Sequence, residues 1–276
     1  MNFLRKLYRL YVSKDPTTIF YATRAKKLEQ YNMPKGKFSA ELLMLTVAFN
    51  NHNVINHQIR LLKKNIKDSY FHFALDNSSD QNTRNEIKKI CIENNTGYIS
   101  LPENPYLKGS GSDSHAIVLN RAIKHIVLKY RPKYFGFIDH DIYPVKPDSI
   151  CGVLRQQPIY GLSQERDEYW YLWPGFCFFS KEVYLKNTLD FMPGIVANVV
   201  YDTGGAMYKE LYSKYDRERI TFPKRTYGSL REGNIVQSDK FEMIDKWLHS
   251  FNGSYWMPVK DKEGILTEVL DGYFNA

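Results

Sequence analysis

The feature that most constrains this chain is an alternation, over residues 42–138, of short apolar runs with stretches of helical periodicity. Leu42–Phe49 (LLMLTVAF), Tyr70–Leu75, Tyr98–Leu101 and Tyr134–Ile138 (YFGFI) read as strands. Between them, Val54–Lys64 sets Val54, Ile55, Ile59 and Leu62 on one helical face, and Glu86–Glu93 belongs to a second helix. His115–Lys129 spaces Ile117, Val118, Leu119, Ile123, Ile126 and Val127 as a third helix. Strands without polar alternation are buried on both faces, and strands joined through helices run parallel. The expectation is therefore an α/β fold with a doubly wound, mostly parallel sheet and helices on both faces. Such sheets bind ligands beyond the carboxyl ends of their strands. The polar residues at those ends are Asn50 and Asn51, Asp76 to Asp80, and Asp139 to Asp141, and all three clusters are expected on one rim.

The chemistry is concentrated in FIDHDIYP. Asp139 and Asp141 stand at i and i+2 past a buried strand, a spacing that projects both carboxylates to one side with His140 turned away. Two oxygen ligands from one side suit a hard divalent cation that takes its other ligands from water and phosphate. A D-x-D alone is weak evidence, since a polar turn after a strand yields it as well; its place after the fourth strand is what gives it weight. In ALDNSSDQNT, Asp76 ends a strand where a carboxylate can accept from a nucleobase N–H or a ribose hydroxyl, while Ser79 or Asp80 suits a helix N-cap. LKGSGSDSH (Leu107–His115) lacks the further glycine of a dinucleotide fingerprint and reads as a loop, with Asp113 or Ser114 as cap of the helix that follows.

In this order the motifs resemble the GT-A glycosyltransferases, particularly those of the family-two type. The resemblance covers roughly residues 42–148: the polar loop Phe49-Asn50-Asn51, the D-x-S-x-D-like Asp76-Asn77-Ser78-Ser79-Asp80, the helical element Ala116 through Asn120-Arg121-Ala122, and the D-x-D of Asp139-His140-Asp141. It implies a hexosyltransferase with a nucleotide-diphosphate sugar as donor and Mn²⁺ or Mg²⁺ as cofactor. Asn50, Asp76, Asp80, Asn120 and Asp139 would contact the donor, and Asp139, Asp141 and the C-terminal His249 would hold the metal. Trp173-Pro174-Gly175-Phe176 is the candidate for the family's glycine-containing loop. Tyr201-Asp202-Thr203-Gly204-Gly205 stands where inverting members carry an E-D pair; Asp202 is then the catalytic base, although it and Thr203 equally suit a helix cap. Trp170 and Trp173 could wall an acceptor site, and Lys224, Arg225 or Arg231 could meet diphosphate oxygens. The acceptor implied is a glycan or lipid-linked hydroxyl. The alternatives are a sugar nucleotidyltransferase, for which Asn50-Asn51-His52 is a poor phosphate loop, and a non-catalytic glycan-binding or membrane-surface scaffold.

The net charge of +8 favours anionic partners, but Lys and Arg are spread along the chain and no nucleic-acid motif is present, so nucleic acid is not expected. Cys91, Cys151 and Cys177 have neither metal nor disulfide spacing and suit reduced core residues in a cytoplasmic protein. Beyond residue 150, strands are expected near Ile159–Ser163 and Gly175–Phe179, with helices from Lys181 and over Gly205–Tyr215. Residues 1–38 read as a basic N-terminal amphipathic helix and a connector. Phe3, Leu4, Leu7, Tyr8, Tyr11 and Val12 form one face, suited either to an anionic membrane surface, with residues 1–14 in peripheral contact, or to packing on the chain's own domain. Residues 39–276 are read as one catalytic domain, with 39–148 as its nucleotide-binding half and 149–276 as its acceptor half.

Overall fold

A computed structural model describes residues 21, 28–106, 111–166, 169–196, 199–227, 241–250 and 262–275. The helix expected over residues 1–14 lies outside this set, as does Arg231.

The core of the molecule is a seven-stranded sheet in the order β1-β4-β3-β2-β5-β8-β7. Its parallel centre comprises β2 (Leu42–Ala48), β3 (Tyr70–Asp76), β4 (Gly97–Ser100) and β5 (Tyr134–Asp139). The register sets Ala48 beside Asp76 and Val47 beside Asp139, so the strands end level with one another on one rim. Chain order reverses between β2 and β5, which makes the gap between their carboxyl ends the topological switch point. Three strands flank the centre: β1 (Gln30–Tyr31), antiparallel on β4, and β8 (Tyr169–Ser180) with β7 (Ile159–Arg166), antiparallel on β5 and on each other. Leu43, Leu45, Phe73, Leu75, Phe135 and Phe137 pack one face of this mixed α/β layer, and Leu42, Met44, Tyr134 and Ile138 pack the other.

Helices α1 (His52–Asn65), α2 (Gln81–Glu93) and α3 (Gly111–Ala122) connect the parallel strands, and α3 runs on through a π-helical stretch, Ile123–Val127. Asn51 caps α1 by accepting from the backbone N–H groups of Asn53 and Val54, and Asp80 caps α2 by accepting from Thr83, which satisfies orphan donors of each first turn. After the large sheet the chain forms a short antiparallel pair, β9 (Ile195–Val196) and β10 (Val199–Val200), and a smaller sheet has the order β11-β12-β13-β6. It joins β6 (Ile142–Pro144) to β11 (Arg225–Tyr227), β12 (Phe241–Ile244) and β13 (Trp247–Ser250). The turn at residues 139–142 is the chain's passage from the large sheet to the small one.

Several expectations are corrected. The stretch read as a connector contributes β1, which covers the edge of β4. Trp173-Pro174-Gly175-Phe176 lies within β8 rather than in a loop: residues 169–172 pair with β7 and 176–180 with β5, leaving 173–175 off the ladder. Pro174 is tolerated there because its missing N–H has no ladder bond to make. Asp113 and Ser114 sit inside α3, which begins at Gly111, so neither is its cap. The helix expected over Gly205–Tyr215 is instead two 3₁₀ turns, Gly205–Met207 and Tyr212–Lys214, interrupted at Leu211, whose φ of −128° is not helical. Trp170 is core, packed on Tyr212 and Phe222. All three cysteines are free and buried, and no helix among the described residues is long and apolar enough to cross a membrane.

Candidate functional site

β5 delivers Asp139 to the rim, half-buried, and the turn that follows carries Asp141 inward to near-complete burial. His140, between them, accepts a hydrogen bond at Nδ1 from the Phe49 N–H (3.4 Å), tying the turn to the end of β2. Each carboxylate faces an imidazole. His249 Nε2 stands 3.7 Å from Asp141 Oδ1, and His115 Nε2 stands 3.6 Å from Asp139 Oδ1.

The first meeting follows from strand pairing. β13 lies antiparallel on β6 with His249 opposite Ile142, and the Ser250 N–H donates to Asp141 O (2.9 Å). The imidazole is held from behind by Glu242 of β12, to which Nδ1 donates (2.7 Å). Fixing one ring nitrogen on a carboxylate aims the other forward, an arrangement common behind metal-ligating histidines. Burial alone would raise the Glu242 carboxyl, but hydrogen bonds and charges from His249 and Arg225 outweigh it and hold it below the usual carboxylate range. Arg225, a candidate diphosphate ligand from sequence, is thus occupied with Glu242.

The second meeting comes from helix packing. The first turn of α3 abuts the rim, so His115, three residues past Ser112, reaches Asp139. Burial raises the Asp139 carboxyl, His115 opposes the shift, and the neighbouring Asp141 adds to it. Desolvated carboxylates side by side favour a proton or a cation between them. Gly175 of β8 closes the third side. A Cβ on Gly175 would lie 2.6 Å from Asp139 Oδ2 and 2.3 Å from the Trp173 ring, so only glycine fits against the carboxylate undisturbed. Gly175→Ala is expected to cost about 1–3 kcal/mol by overpacking and to displace the Asp139 side chain. Urea unfolding would read the first effect and divalent-cation titration the second.

Asp202 is exposed on the turn before the first 3₁₀ segment, and its Oδ1 accepts from the Thr203 N–H (2.8 Å). Gly204, at φ 86°, packs on Pro174, while the Thr203 hydroxyl donates to Ser112 O (3.1 Å). The turn is therefore wedged between β8 and the start of α3, both of which border Asp139.

Beneath the carboxylate turn runs a buried polar chain that sequence reading missed. Gln58 of α1 donates from Nε2 to the carbonyls of Asp139 (2.7 Å) and Ile142 (2.9 Å), so its Oε1 is left to accept from the Thr46 hydroxyl (2.8 Å). The Thr46 oxygen then accepts from Nε2–H of His72 (2.9 Å), which fixes that imidazole's tautomer. Burial depresses His72 from about 6.5 to about 3. Between those values the unfolded chain binds the proton and the folded chain does not, so stability is whole above about pH 6.5 and declines as pH falls toward 3. Urea unfolding at pH 7 and pH 5 should show that loss, with a slope of up to about 1.4 kcal/mol per pH unit from this group, and His72→Gln should flatten it.

On the other side of the turn, a groove of about 570 Å³ opens over the ends of β2, β3 and β4, lined by Phe49, Ser78, Ser79, Arg84, Leu101, Glu103, Asn104 and Pro105. Asn50, at φ 47°, staples its floor: its N–H donates to Ser78 Oγ, its Nδ2 to Ser79 Oγ, and its Oδ1 accepts from the N–H groups of Ser79 and Asp80. Arg84, also unforeseen, donates to Ser78 O, Ser100 Oγ and Leu101 O and joins two of the walls.

Three of the residues expected at the donor have partners within the chain. Asp76 is fully buried, with Oδ2 accepting from the Tyr98 hydroxyl (2.8 Å) and Oδ1 from the Ser78 N–H (3.0 Å). Asn120 does not line the groove. Its amide donates to Asp190 (2.7 Å) and accepts from the Phe191 N–H (2.8 Å), clamping α3 to that segment. Asp80 is occupied as the α2 cap.

No family model matches the chain, and no curated protein matches it. Among solved structures it is similar to the mannosyltransferase PcManGT from Pyrobaculum calidifontis in complex with GDP-Man and Mn²⁺, at 10% identity and a TM-score of 0.39, over 65% of this chain and 52% of that one. It is similar to S. aureus TarS at 11% identity and a TM-score of 0.38, over 55% and 30% of the two chains. It is also similar to the apo structure of the bifunctional glycosyltransferase WbbM at 9% identity and a TM-score of 0.34, over 86% and 35%. The chain thus spans about half the length of the mannosyltransferase and about a third of the other two.

Proposed function

We propose that this chain transfers a sugar from a nucleotide-diphosphate sugar to an acceptor hydroxyl at the junction of the two sheets. The observation that carries the reading is the paired carboxylates of Asp139 and Asp141, set at the switch point of the sheet and faced by His115 and His249 beside a groove of about 570 Å³.

The donor set fits a hard divalent cation such as Mn²⁺ or Mg²⁺. Asp139 and Asp141 offer oxygen, and His249 is already oriented by Glu242. Among the described residues no group of three such side chains is arranged to hold a metal ion, so an ion on this pair of carboxylates would have to take the rest of its shell from a diphosphate and water. When bound, that ion would neutralise charge on the leaving diphosphate.

The protein's own residues supply the rest. The groove holds the nucleoside against Phe49, and the Asn50 staple keeps the loops after β2 and β3 in one conformation. The acceptor hydroxyl attacks the anomeric carbon while the bond from that carbon to the diphosphate oxygen breaks. Asp202 takes the proton from the hydroxyl as general base; a single displacement of this kind inverts configuration. The acceptor fits a glycan or lipid-linked hydroxyl entering past the 201–205 turn.

The test is calorimetric titration of nucleoside diphosphates with and without Mn²⁺. Tight binding that requires the metal is expected. A folded sample that binds no nucleoside diphosphate would turn the reading toward a scaffold that keeps the fold without the chemistry.

A further inference from the structure

We infer that the groove selects guanine among the nucleobases and that Glu103 is the residue that reads it; the inference rests on the nucleotide-sugar reading above.

Asn104, buried, donates to Asn77 Oδ1 (3.1 Å) and Ser114 O (2.9 Å) and accepts from the Tyr106 N–H (3.0 Å). Asn50 Oδ1 is engaged by the N–H groups of Ser79 and Asp80. Asp76, beneath the floor, is engaged by Tyr98 and Ser78. Arg84 holds Ser78 O through Nε, and Ser100 Oγ and Leu101 O through Nη1, so its Nη2 remains as a donor at the wall. Ser78 Oγ accepts from the Asn50 N–H and is fully buried, and Ser79 Oγ is engaged with the Asn50 amide. Among the described residues that line the groove, the one carboxylate is that of Glu103, and it is exposed.

A carboxylate accepts through two oxygens and donates nothing when ionised. It is best met by a base edge with two adjacent N–H groups. Guanine presents N1–H beside N2–H₂, with O6 next to them as the acceptor that the Arg84 donor requires. Uracil and thymine present one N–H between two carbonyls, so pairing with Glu103 sets carbonyl oxygen against carboxylate oxygen. Adenine and cytosine present one amino group beside a ring acceptor, and one carboxylate oxygen then goes unmatched. Phe49 gives the groove an aromatic wall for any base, so the choice among bases falls to Glu103.

The experiment titrates the full chain in saturating Mn²⁺ with GDP, UDP, CDP, dTDP and ADP, as wild type and as Glu103→Gln. GDP is expected to bind tightest by at least about tenfold, the scale of one bidentate base contact. Glu103→Gln is expected to remove most of that margin by weakening GDP, while UDP affinity stays the same or rises modestly, since a neutral amide no longer repels a carbonyl. Because Glu103 is exposed, the variant should keep the wild-type circular dichroism spectrum and melting temperature. Preference for another base, or a GDP preference that survives Glu103→Gln, overturns the guanine assignment and leaves the nucleotide-sugar reading intact. Absence of binding to all five nucleotides overturns both.

Discussion

Asp141→Asn is expected to abolish metal-dependent nucleotide binding, with affinity in Mn²⁺ falling to the metal-free level or by about a hundredfold, the scale reached when metal-site partners are lost. The substitution keeps side-chain volume and removes one negative charge. Its effect on folding should be small or favourable, because Asp141 is buried beside the desolvated Asp139 and repels it. Thermal unfolding without metal should therefore show Asp141→Asn at least as stable as wild type, while Mn²⁺ stabilises only the wild type through mass action. A variant that still gains stability from Mn²⁺ would move the metal away from Asp141. A variant that simply unfolds would mark the carboxylate as structural.

Gln58→Leu carries the second large effect and reaches the site without touching it. Leucine fills similar space but leaves the carbonyls of Asp139 and Ile142 without their Gln58 donor and the Thr46 hydroxyl without its acceptor. Each buried group stripped of its partner costs about 1–3 kcal/mol, so a total loss of roughly 3 kcal/mol or more is expected. Thr46→Val breaks the same chain one link away, and the double variant should lose clearly less than the sum of the two single losses, because both act on one network. Urea unfolding of the four proteins measures this, and additive losses would dissolve the network. In the folded fraction of Gln58→Leu, Mn²⁺-dependent binding should weaken far more than nucleotide binding without metal, because the carbonyls that Gln58 holds frame the carboxylate turn.

The parallel centre of the sheet was legible in sequence because its signal is local and redundant. Apolar runs such as LLMLTVAF cannot be half-exposed strands, and each is followed by helical spacing. The level strand ends followed from the same alternation, so Asn50 and Asp139 arrive on one rim. His249 was legible only through resemblance to a family, since nothing local marks a histidine that pairing with β6 will set against Asp141. His115, Arg84, Gln58 and Glu242 carried no pattern: each is a single polar residue whose partner is remote in the chain or is a backbone group. Asp76 and Asn120 show the converse. A polar residue at a strand end or on a helix reads the same whether it faces a groove or, like Asp76, meets Tyr98 inside. The 3₁₀ turns after Gly204 were missed because helical spacing of apolar residues does not register a backbone interruption like the one at Leu211.

The carboxylate turn links a sheet of sequential crossovers to a sheet that joins residues 142–144 to residues 225–227 and 241–250, and this difference has a kinetic consequence. Contacts between neighbours in sequence form early, whereas closure across a long intervening loop waits on its entropic cost. The four parallel strands can therefore consolidate, and both carboxylates take their places, before β13 docks on β6. His249 and its Glu242 support arrive with that late closure. Pulse-labelled hydrogen exchange during refolding should accordingly protect Leu45 and Phe137 before Leu248, with competence for cations appearing in the last phase.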